Sequence, residues 1–175
     1  GHGAFAEEVV VRAVKCLPLP EDVDYVTGSA FALTYGTSYY ALKQRAQLRP
    51  GEWLLVHGAS GGVGLSAVEI GRAMGAKVIA TGSSDEKLKT VLAHGAEHVI
   101  NYSGGEFREE VKALTGGAGA DVIYDPVGGD VFDQSLRCIA WDGRLLVIGF
   151  ASGRIPSAPA NLALLKSCAI TGVFW

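Results

Sequence analysis

The sequence predicts an α/β fold in which helices cover both faces of a parallel sheet. Six short apolar runs follow Pro50, and amphipathic segments separate them. The runs contain aliphatic and β-branched residues without polar alternation, which is typical of strands buried on both faces. They comprise residues 53–57, 77–80, 98–100, 121–124, 144–148 and 169–174. Six such strands with crossover helices predict a doubly wound, six-stranded parallel sheet, the Rossmann fold.

The residues before the sheet divide near position 25. Residues 5–13 (FAEEVVVRA) predict a β-strand, which Pro18 and Pro20 end. Residues 26–47 predict a mostly helical segment with apolar and aromatic side chains throughout. We therefore expect two regions, a remnant of another domain in residues 1–25 and the sheet domain in residues 26–175.

Three helices are predicted between the later strands. Ser83, Ser84, Asp85 and Glu86 have the form of a capping box, which marks the start of the first. The apolar faces of the three are Leu88, Val91 and Leu92; Phe107, Val111 and Leu114; and Phe132, Leu136 and Ile139. The glycines expected to end them are Gly95, then Gly116 and Gly117, then Gly143.

Composition excludes several classes of protein. The 175 residues are 49% hydrophobic and 19% charged, which fits a folded domain, and no apolar run approaches the ~20 residues of a membrane-spanning helix. A net charge of −3 argues against binding to nucleic acid or to an anionic membrane. Cys16, Cys138 and Cys168 are lone and widely spaced, so we expect a reducing compartment, either the cytoplasm or the mitochondrial matrix.

A glycine-rich loop follows the first predicted strand of the sheet. Residues 58–64 read GASGGVG and lead into a predicted helix. A strand-loop-helix turn of this kind lets the backbone approach a pyrophosphate, whose charge is met by free N–H groups and the positive end of the helix. The loop predicts a dinucleotide site, and the alternative is a tight turn that holds no ligand.

The residues at the end of the next strand indicate which dinucleotide the site binds. NAD sites place Asp or Glu there, about 20 residues past the loop, to bind the ribose 2′-hydroxyl. This chain has Gly82 instead, with the hydroxyls of Ser83 and Ser84 beside it, Lys87 in the next helix and Tyr102 after the third strand. A lysine, a phenol and small hydroxyls suit a 2′-phosphate, which favours NADP(H). The alternative is that Lys87 and Tyr102 are ordinary surface residues.

Other patterns fit structural roles better than chemical ones. Tyr39 and Lys43 have the Tyr-x-x-x-Lys spacing of short-chain dehydrogenases but precede the glycine loop, so we interpret them as ordinary helix residues. His57 ends a buried strand and is expected to be a hydrogen-bonded core residue. Asp125 either contacts the adenosine or caps the turn that follows it. We expect no metal site, because no close helical pair exists among His2, His57, His94 and His98.

Five motifs are spread over nearly the whole chain. They are YGTSYYALKQRAQLRPGE at 35–52, HGASGGVG at 57–64, VINY at 99–102, DPVGGDVF at 125–132 and GRLLVIGFASG at 143–153. Together they resemble the zinc-independent quinone oxidoreductases of the medium-chain dehydrogenase/reductase superfamily, a group that includes ζ-crystallin-like proteins. The resemblance implies that residues 1–25 are the remnant of a β-rich, GroES-like catalytic domain and that residues 26–175 bind NADP(H).

The resemblance also implies roles for individual residues. The residues implied at the pyrophosphate are Gly61, Gly62, Val63 and Gly64. Those implied at the 2′-phosphate and adenosine ribose are Ser83 or Ser84, Lys87 and Tyr102. Those implied near the nicotinamide are Thr37, Gly149, Phe150, Ala151, Val173 and Phe174. The resemblance supplies no catalytic acid in this part of the family's sequence, and we name no catalytic residue.

The activity implied is hydride transfer from NADPH to a quinone or an α,β-unsaturated carbonyl. The substrate pocket would lie mostly in the preceding domain, so we expect this chain to bind cofactor and catalyse little by itself. The resemblance implies a homodimer through the edge strand at 169–174, in keeping with the tendency of exposed strand edges to pair. Two other functions stay open: an enoyl reductase acting on acyl thioesters, and a non-catalytic NADPH-binding protein with a structural or regulatory role.

Overall fold

The computed structural model describes residues 5–175, and the first twenty of these form no β-strand. The strand predicted at 5–13 is therefore wrong. Within the described residues this segment has no neighbouring strand with which to form a ladder, and the side chains of Phe5, Val10 and Val14 are exposed. A lone strand gains neither cross-strand hydrogen bonds nor a buried face, and these residues contain only a short 3₁₀ helix, Ala13–Lys15, and a turn in which the Val23 N–H donates to the Pro20 carbonyl at 3.1 Å.

The predicted helical segment at 26–47 is confirmed as two consecutive pieces. Helix α1 spans Tyr25–Tyr39, and the side chain of Asp24 caps it by accepting a hydrogen bond from the Thr27 N–H at 2.9 Å. The chain continues as a π-helical turn, Tyr40–Arg45. The turn buries Ala41 and Leu42 against the sheet, whereas most of α1 is exposed.

The six predicted strands are confirmed, and all of them are parallel. The strands are β1 (Trp53–Val56), β2 (Lys77–Gly82), β3 (His98–Asn101), β4 (Ala120–Asp125), β5 (Ile139–Val147) and β6 (Ala169–Gly172). The helices between them are α2 (Gly62–Ala73), α3 (Asp85–Ala93), α4 (Arg108–Leu114), α5 (Gly129–Cys138) and α6 (Ala160–Lys166). The strand order β3-β2-β1-β4-β5-β6 is that of a doubly wound Rossmann fold.

The end of α5 differs from the prediction. The helix stops at Cys138, and Ile139 pairs with Ala120 as the first residue of β5. The register of the ladder then shifts, and Asp142 adopts a positive φ of 59°. Ile139 is fully buried. Both the apolar face of a helix and a strand covered by helices bury such a residue, so the spacing of apolar residues alone does not distinguish helix from strand at this position.

The predicted capping box does not form either. Ser84 is the N-cap residue of α3, but its side chain makes no capping hydrogen bond. The carboxylate of Asp85 instead accepts a hydrogen bond from Asn101 at the end of β3. This contact ties the start of α3 to the end of β3.

Two apolar layers cover the sheet, one on each face. Alternate strand residues point to opposite faces, so Leu54 and Val56 join the layer under α2 and α3. Leu55 joins the layer under α4 and α5. Within residues 5–175, no helix is both long and apolar enough to cross a membrane.

Candidate functional site

The carboxyl ends of the strands form the edge of the sheet that carries the predicted site. Chain connections run outward from β1 to β2 and β3 on one side and through β4 to β6 on the other, so the strand order reverses between β1 and β4. In open α/β sheets, ligands bind in the crevice outside such a switch point. The glycine loop at residues 58–64 follows β1 and lies at this crevice.

The glycine loop turns back tightly on itself. Gly58 has a φ of +55°, a conformation that glycine adopts without strain, and its carbonyl accepts a hydrogen bond from the Gly61 N–H at 3.0 Å. The Ala59 N–H donates to the Thr81 carbonyl of β2 at 3.1 Å, which fixes the loop to the sheet. A Cβ at position 64 would overlap the Gly58 carbonyl oxygen and lie 2.8 Å from the Ala59 Cα, so α2 approaches the loop closely only because Gly64 has no side chain.

The start of α2 is suited to hold an anion. Gly61 is the N-cap, and Gly62, Val63 and Gly64 form the first turn, whose N–H groups have no acceptor within a helix. These groups and the positive end of the helix attract negative charge. Gly61 brings no side chain that would cover them. The structure thus brings together the four residues predicted at the pyrophosphate, and their backbone fits that group.

His57 lies beneath the glycine loop and is fully buried. Its Nε2 lies 2.8 Å from the Ser135 hydroxyl, which donates its own proton to the Val131 carbonyl at 2.7 Å. Nε2 therefore carries the hydrogen, and Nδ1 accepts from the Thr81 hydroxyl at 2.8 Å. Burial lowers the pKa of His57 to about 3. The prediction of a hydrogen-bonded core residue is confirmed: His57 is a neutral link between β1, β2 and α5.

A second buried polar cluster joins α1 to the glycine loop. The Ser38 hydroxyl lies 2.9 Å from the Val63 carbonyl, 2.9 Å from the Ser66 hydroxyl and 2.8 Å from the Tyr124 hydroxyl. Burial raises the pKa of Tyr124 to about 12, so the phenol stays protonated at neutral pH. Thr37, the residue before Ser38, therefore lies next to the glycine loop.

The ends of β2 and β3 bring the predicted 2′-phosphate residues to one place. Gly82 pairs with Asn101 in the parallel ladder, so Ser83 and Ser84 leave the sheet beside Tyr102. Lys87 lies in the first turn of α3 and is exposed. Within the described chain, no carboxylate lies within ion-pair distance of its ammonium group.

Tyr102 and Asp125 lie at the outer and central parts of the same edge. Asp125 is buried, and its Oδ1 accepts hydrogen bonds from the N–H groups of Val127 at 2.8 Å and Gly128 at 2.9 Å. Burial raises the pKa of Asp125, although these two donors oppose the rise. Burial and the nearby Asp125 carboxylate both raise the pKa of Tyr102. The structure therefore gives Asp125 the role of capping the turn.

The residues predicted near the nicotinamide lie at the other end of this edge. Gly149, Phe150 and Ala151 follow β5, and the Ala151 N–H donates to the Pro126 carbonyl at 3.0 Å. Val173 extends β6, since its N–H donates to the Val147 carbonyl at 3.0 Å. Phe174 is almost fully exposed. The indole of Trp175 lies against Gly36 of α1, which brings the last residues of the chain beside Thr37.

Sequence reasoning missed the partners in the two buried clusters. Thr81 ends an apolar strand, and Ser66 and Ser135 lie on the buried faces of their helices. Their burial is visible only once distant elements are packed, although a hydroxyl on an apolar face is a signal for a buried hydrogen bond. Within residues 5–175, no three His, Cys, Asp or Glu side chains form a group that could hold a metal ion, and His2 lies outside the described residues.

Comparison with known proteins gives related sequences and folds. Residues 62–175 match the family described as zinc-binding dehydrogenase. A quinone oxidoreductase-like protein 2 homolog from Nematostella vectensis is 44% identical over 99% of this chain and 47% of its own length. The quinone oxidoreductase of Thermus thermophilus, solved also with NADPH, is 40% identical with a TM-score of 0.84, covering 99% of this chain and 54% of that one. An NAD-dependent alcohol dehydrogenase structure is 33% identical with a TM-score of 0.92, covering 98% and 50% of the two chains.

The relatives cover the whole sheet and the glycine loop described above, and the family match begins within that loop at Gly62. The chain spans about half the length of the curated relatives it matches. Identity of 41–44% over nearly the whole chain to quinone oxidoreductase-like proteins adds to the family match. The chain therefore belongs to the zinc-binding dehydrogenase family, as a quinone oxidoreductase-like member of the medium-chain dehydrogenase/reductase superfamily.

Proposed function

We propose that this chain is the NADP(H)-binding region of an oxidoreductase of the quinone oxidoreductase type. The observation that carries the proposal is the combination of two adjacent loops at the carboxyl edge. The loop after β1 offers free N–H groups to a pyrophosphate, and the loop after β2 follows Gly82, where an NAD site has a carboxylate. A solved relative, the Thermus thermophilus enzyme, binds NADPH.

In this proposal the 2′-phosphate lies between α3 and the end of β3. Ser83 or Ser84, the Lys87 ammonium and the Tyr102 hydroxyl hold it. Gly82 supplies no carboxylate of the kind an NAD site has, and a Cβ there would lie in tight contact with Leu88, 3.0 Å from its Cδ2. A lysine without a carboxylate partner is available to the phosphate, whose charge it meets as a compact cation.

The adenosine end has a cavity beside it. A volume of about 300 Å³ lies between the loop after β3 and the turn after β4, and it is lined by Tyr102, Phe107, Val127 and Gln134 among others. Its apolar side chains suit the faces of a planar heterocycle, and its polar side chains, Asp130 among them, suit the polar rim of such a ring. We place the adenine at the mouth of this cavity.

The nicotinamide end lies near α1 and the ends of β5 and β6. Thr37, Gly149, Phe150, Val173 and Phe174 orient the nicotinamide in this proposal, the last two through their backbone. When bound, NADPH supplies a hydride from C4 of its nicotinamide ring. The residues of this chain orient the cofactor and limit the access of water.

The reaction of the whole protein follows from its relatives. We propose that it reduces a quinone or an α,β-unsaturated carbonyl without zinc, in the cytoplasm or the mitochondrial matrix. The three free cysteines agree with either reducing compartment. Because the relatives are about twice as long, we expect this chain alone to bind NADPH and catalyse little.

We also propose a homodimer formed through residues 169–174. Strand β6 ends the sheet, and within the described residues only β5 pairs with it. Its residues Ala169, Ile170 and Gly172 are exposed, as is Phe174 after it. Pairing of two such edges would continue the sheet and cover these apolar groups.

Fluorescence titration and turnover assays test the proposal. Energy transfer from tryptophan to NADPH reports binding to this chain, and we expect saturable binding that excess NADP⁺ displaces. The whole protein is then assayed with NADPH and a quinone, an enone or an enoyl thioester. We expect turnover of the quinone or the enone. Preference for the enoyl thioester would identify an enoyl reductase. Tight binding of NADPH without turnover of any substrate would identify a non-catalytic protein. Failure of this chain to bind NADPH would contradict the proposal.

A further inference from the structure

The β5 loop, residues 149–154, is tied to the turn that follows β4. It contains Gly149 and Phe150, which we place beside the nicotinamide. Three backbone hydrogen bonds of 2.9 to 3.1 Å join this loop to residues 126–129. They run from the Ala151 N–H to the Pro126 carbonyl, from the Ser152 N–H to the Val127 carbonyl and from the Gly129 N–H to the Arg154 carbonyl. The loop and the turn therefore form one unit.

A side chain fixes the far end of the β5 loop to α5. The Nη2 of Arg154 donates to the Asp130 Oδ1 at 2.7 Å and to the Asp133 Oδ2 at 2.6 Å. The two acids are three positions apart on α5, so their carboxylates lie on one face of the helix, where like charges repel. The guanidinium between them offsets this repulsion, and it ties the end of the loop to the helix.

Arg154 is the last residue of the loop before an exposed stretch of chain. Residues 155–160 are exposed except for the half-buried Pro156. Exposed segments with few buried contacts move most readily, so an anchor at Arg154 separates the β5 loop from the motion of this stretch. A loop without the anchor would have to be ordered when a ligand binds, and that ordering costs affinity.

We propose that Arg154 is a positioning residue for the nicotinamide, which acts by anchoring the β5 loop to α5 through Asp130 and Asp133. The inference rests on the proposed binding of NADP(H) and on the placement of Gly149 and Phe150 beside the nicotinamide. It adds, to the residues that would contact this ring, a side chain that acts through the position of their loop.

Two ligands separate an effect on the nicotinamide from an effect on the whole site. Calorimetry gives the dissociation constants of NADPH and of 2′-phospho-ADP-ribose, which has the same phosphates and adenosine but no nicotinamide. We expect the unchanged chain to bind NADPH more tightly. Arg154→Gln should lower this preference about threefold, on the scale of exposed ion pairs. Binding of 2′-phospho-ADP-ribose should stay nearly unchanged, since the loop contributes only Ser152 to the cavity proposed for the adenine.

Asp133→Lys distinguishes anchoring from charge. It breaks the same contact by repelling Arg154, but it shifts the net charge in the direction opposite to that of Arg154→Gln. Both ligands are anions, and the reduced nicotinamide is neutral, so an effect of charge alone changes both dissociation constants together. Anchoring predicts that the preference for NADPH falls in both variants. It also predicts no further loss when the two changes are combined, because both break one contact.

Arg137→Gln is the matched control. Arg137 is an exposed arginine of the same helix, and no ion pair joins it to any residue of the described chain. We expect the preference for NADPH to stay unchanged in this variant, and chemical denaturation shows that each variant is folded. An unchanged preference in Arg154→Gln or Asp133→Lys, or equal affinity of the unchanged chain for the two ligands, would overturn the inference. Failure of the unchanged chain to bind either ligand would instead overturn the proposed function.

Discussion

The two loops that we propose to hold phosphate groups are built in different ways. The loop after β1 presents backbone N–H groups, contains Gly58 and Gly64 where side chains would strain or overlap, and rests on the buried His57. The loop after β2 presents exposed side chains on a helix end, and one hydrogen bond between Asp85 and Asn101 restrains it.

This difference separates binding from selectivity. A backbone site is part of the fold, so a change there affects both the stability of the chain and every ligand that carries the common pyrophosphate. An exposed side-chain site can change without disturbing the core, so a change there affects only the ligand with the extra phosphate. Substitutions in the loop after β1 should therefore lower stability and the binding of both NADPH and NADH, whereas substitutions in the loop after β2 should lower the binding of NADPH alone.

Gly64→Ala should have the largest effect. The added methyl overlaps the Gly58 carbonyl, so α2 or the loop must move, at a cost of about 3 kcal/mol in the free energy of unfolding. NADPH and NADH should both lose binding, as measured by titration beside chemical denaturation. Gly104→Ala is the control, because a Cβ there meets no atom within 4 Å. Equal stability of the two variants would show that the loop is not as closely packed as described.

His57→Gln should change how stability depends on pH. Burial lowers the pKa of His57 from 6.5 to about 3, so the unfolded chain binds the extra proton between these values. The free energy of unfolding therefore falls as pH falls through this range, by up to about 1.4 kcal/mol per pH unit from His57. His57→Gln should be less stable by about 2 kcal/mol at neutral pH, because a buried hydroxyl loses its partner.

The pH slope is the decisive readout for His57. Denaturant titrations between these two pH values should show a shallower fall for His57→Gln than for the unchanged chain. His98→Gln serves as the control, since His98 is only partly buried at the start of β3. Parallel pH curves for the unchanged chain and His57→Gln would contradict a neutral, buried imidazole.

Lys87→Ala should affect only the cofactor with the 2′-phosphate. We expect NADPH binding to weaken about tenfold, equivalent to ~1.4 kcal/mol, with NADH binding and stability unchanged. Lys89→Ala, an exposed lysine in the same helix, is the matched control. Equal losses for NADPH and NADH would place Lys87 outside the 2′-phosphate site.

Tyr102→Phe should give the smallest change. Removal of the hydroxyl takes away one hydrogen bond to the phosphate but no charge, so NADPH binding should weaken less than in Lys87→Ala, by about threefold. The ring still packs beside Phe107, whose centroid lies 6.4 Å away, so stability should be retained. Calorimetric titration measures the loss, and an unchanged affinity for NADPH would assign the phenol to the cavity rather than to the phosphate.

The same contrast explains what the sequence could predict. Local sequence patterns predicted the strands and the glycine loop. Apolar runs bounded by glycines indicated the strands, and a glycine-rich stretch directly before a helix indicated the loop. The structure agrees with both predictions. The positions of Lys87 and Tyr102 at neighbouring strand ends follow from the parallel sheet. These features depend on the chain close to each residue.

The features that the sequence did not predict depend on contacts between residues that are distant along the chain. Residues 5–13 carry strand-like side chains but have no described strand beside them, and Ile139 joins β5 because Ala120 pairs with it. The partners of His57 come from β2 and α5, and Asp85 accepts a hydrogen bond from Asn101 at the end of β3. No spacing within one segment encodes such pairs.

Side-by-side calorimetric titration of this chain with NADPH and with NADH tests the central claim most directly. The Gly82, Lys87 and Tyr102 arrangement predicts that NADPH binds at least about tenfold more tightly, a difference of ~1.4 kcal/mol in binding free energy. Equal dissociation constants, or tighter binding of NADH, would contradict the proposed 2′-phosphate site.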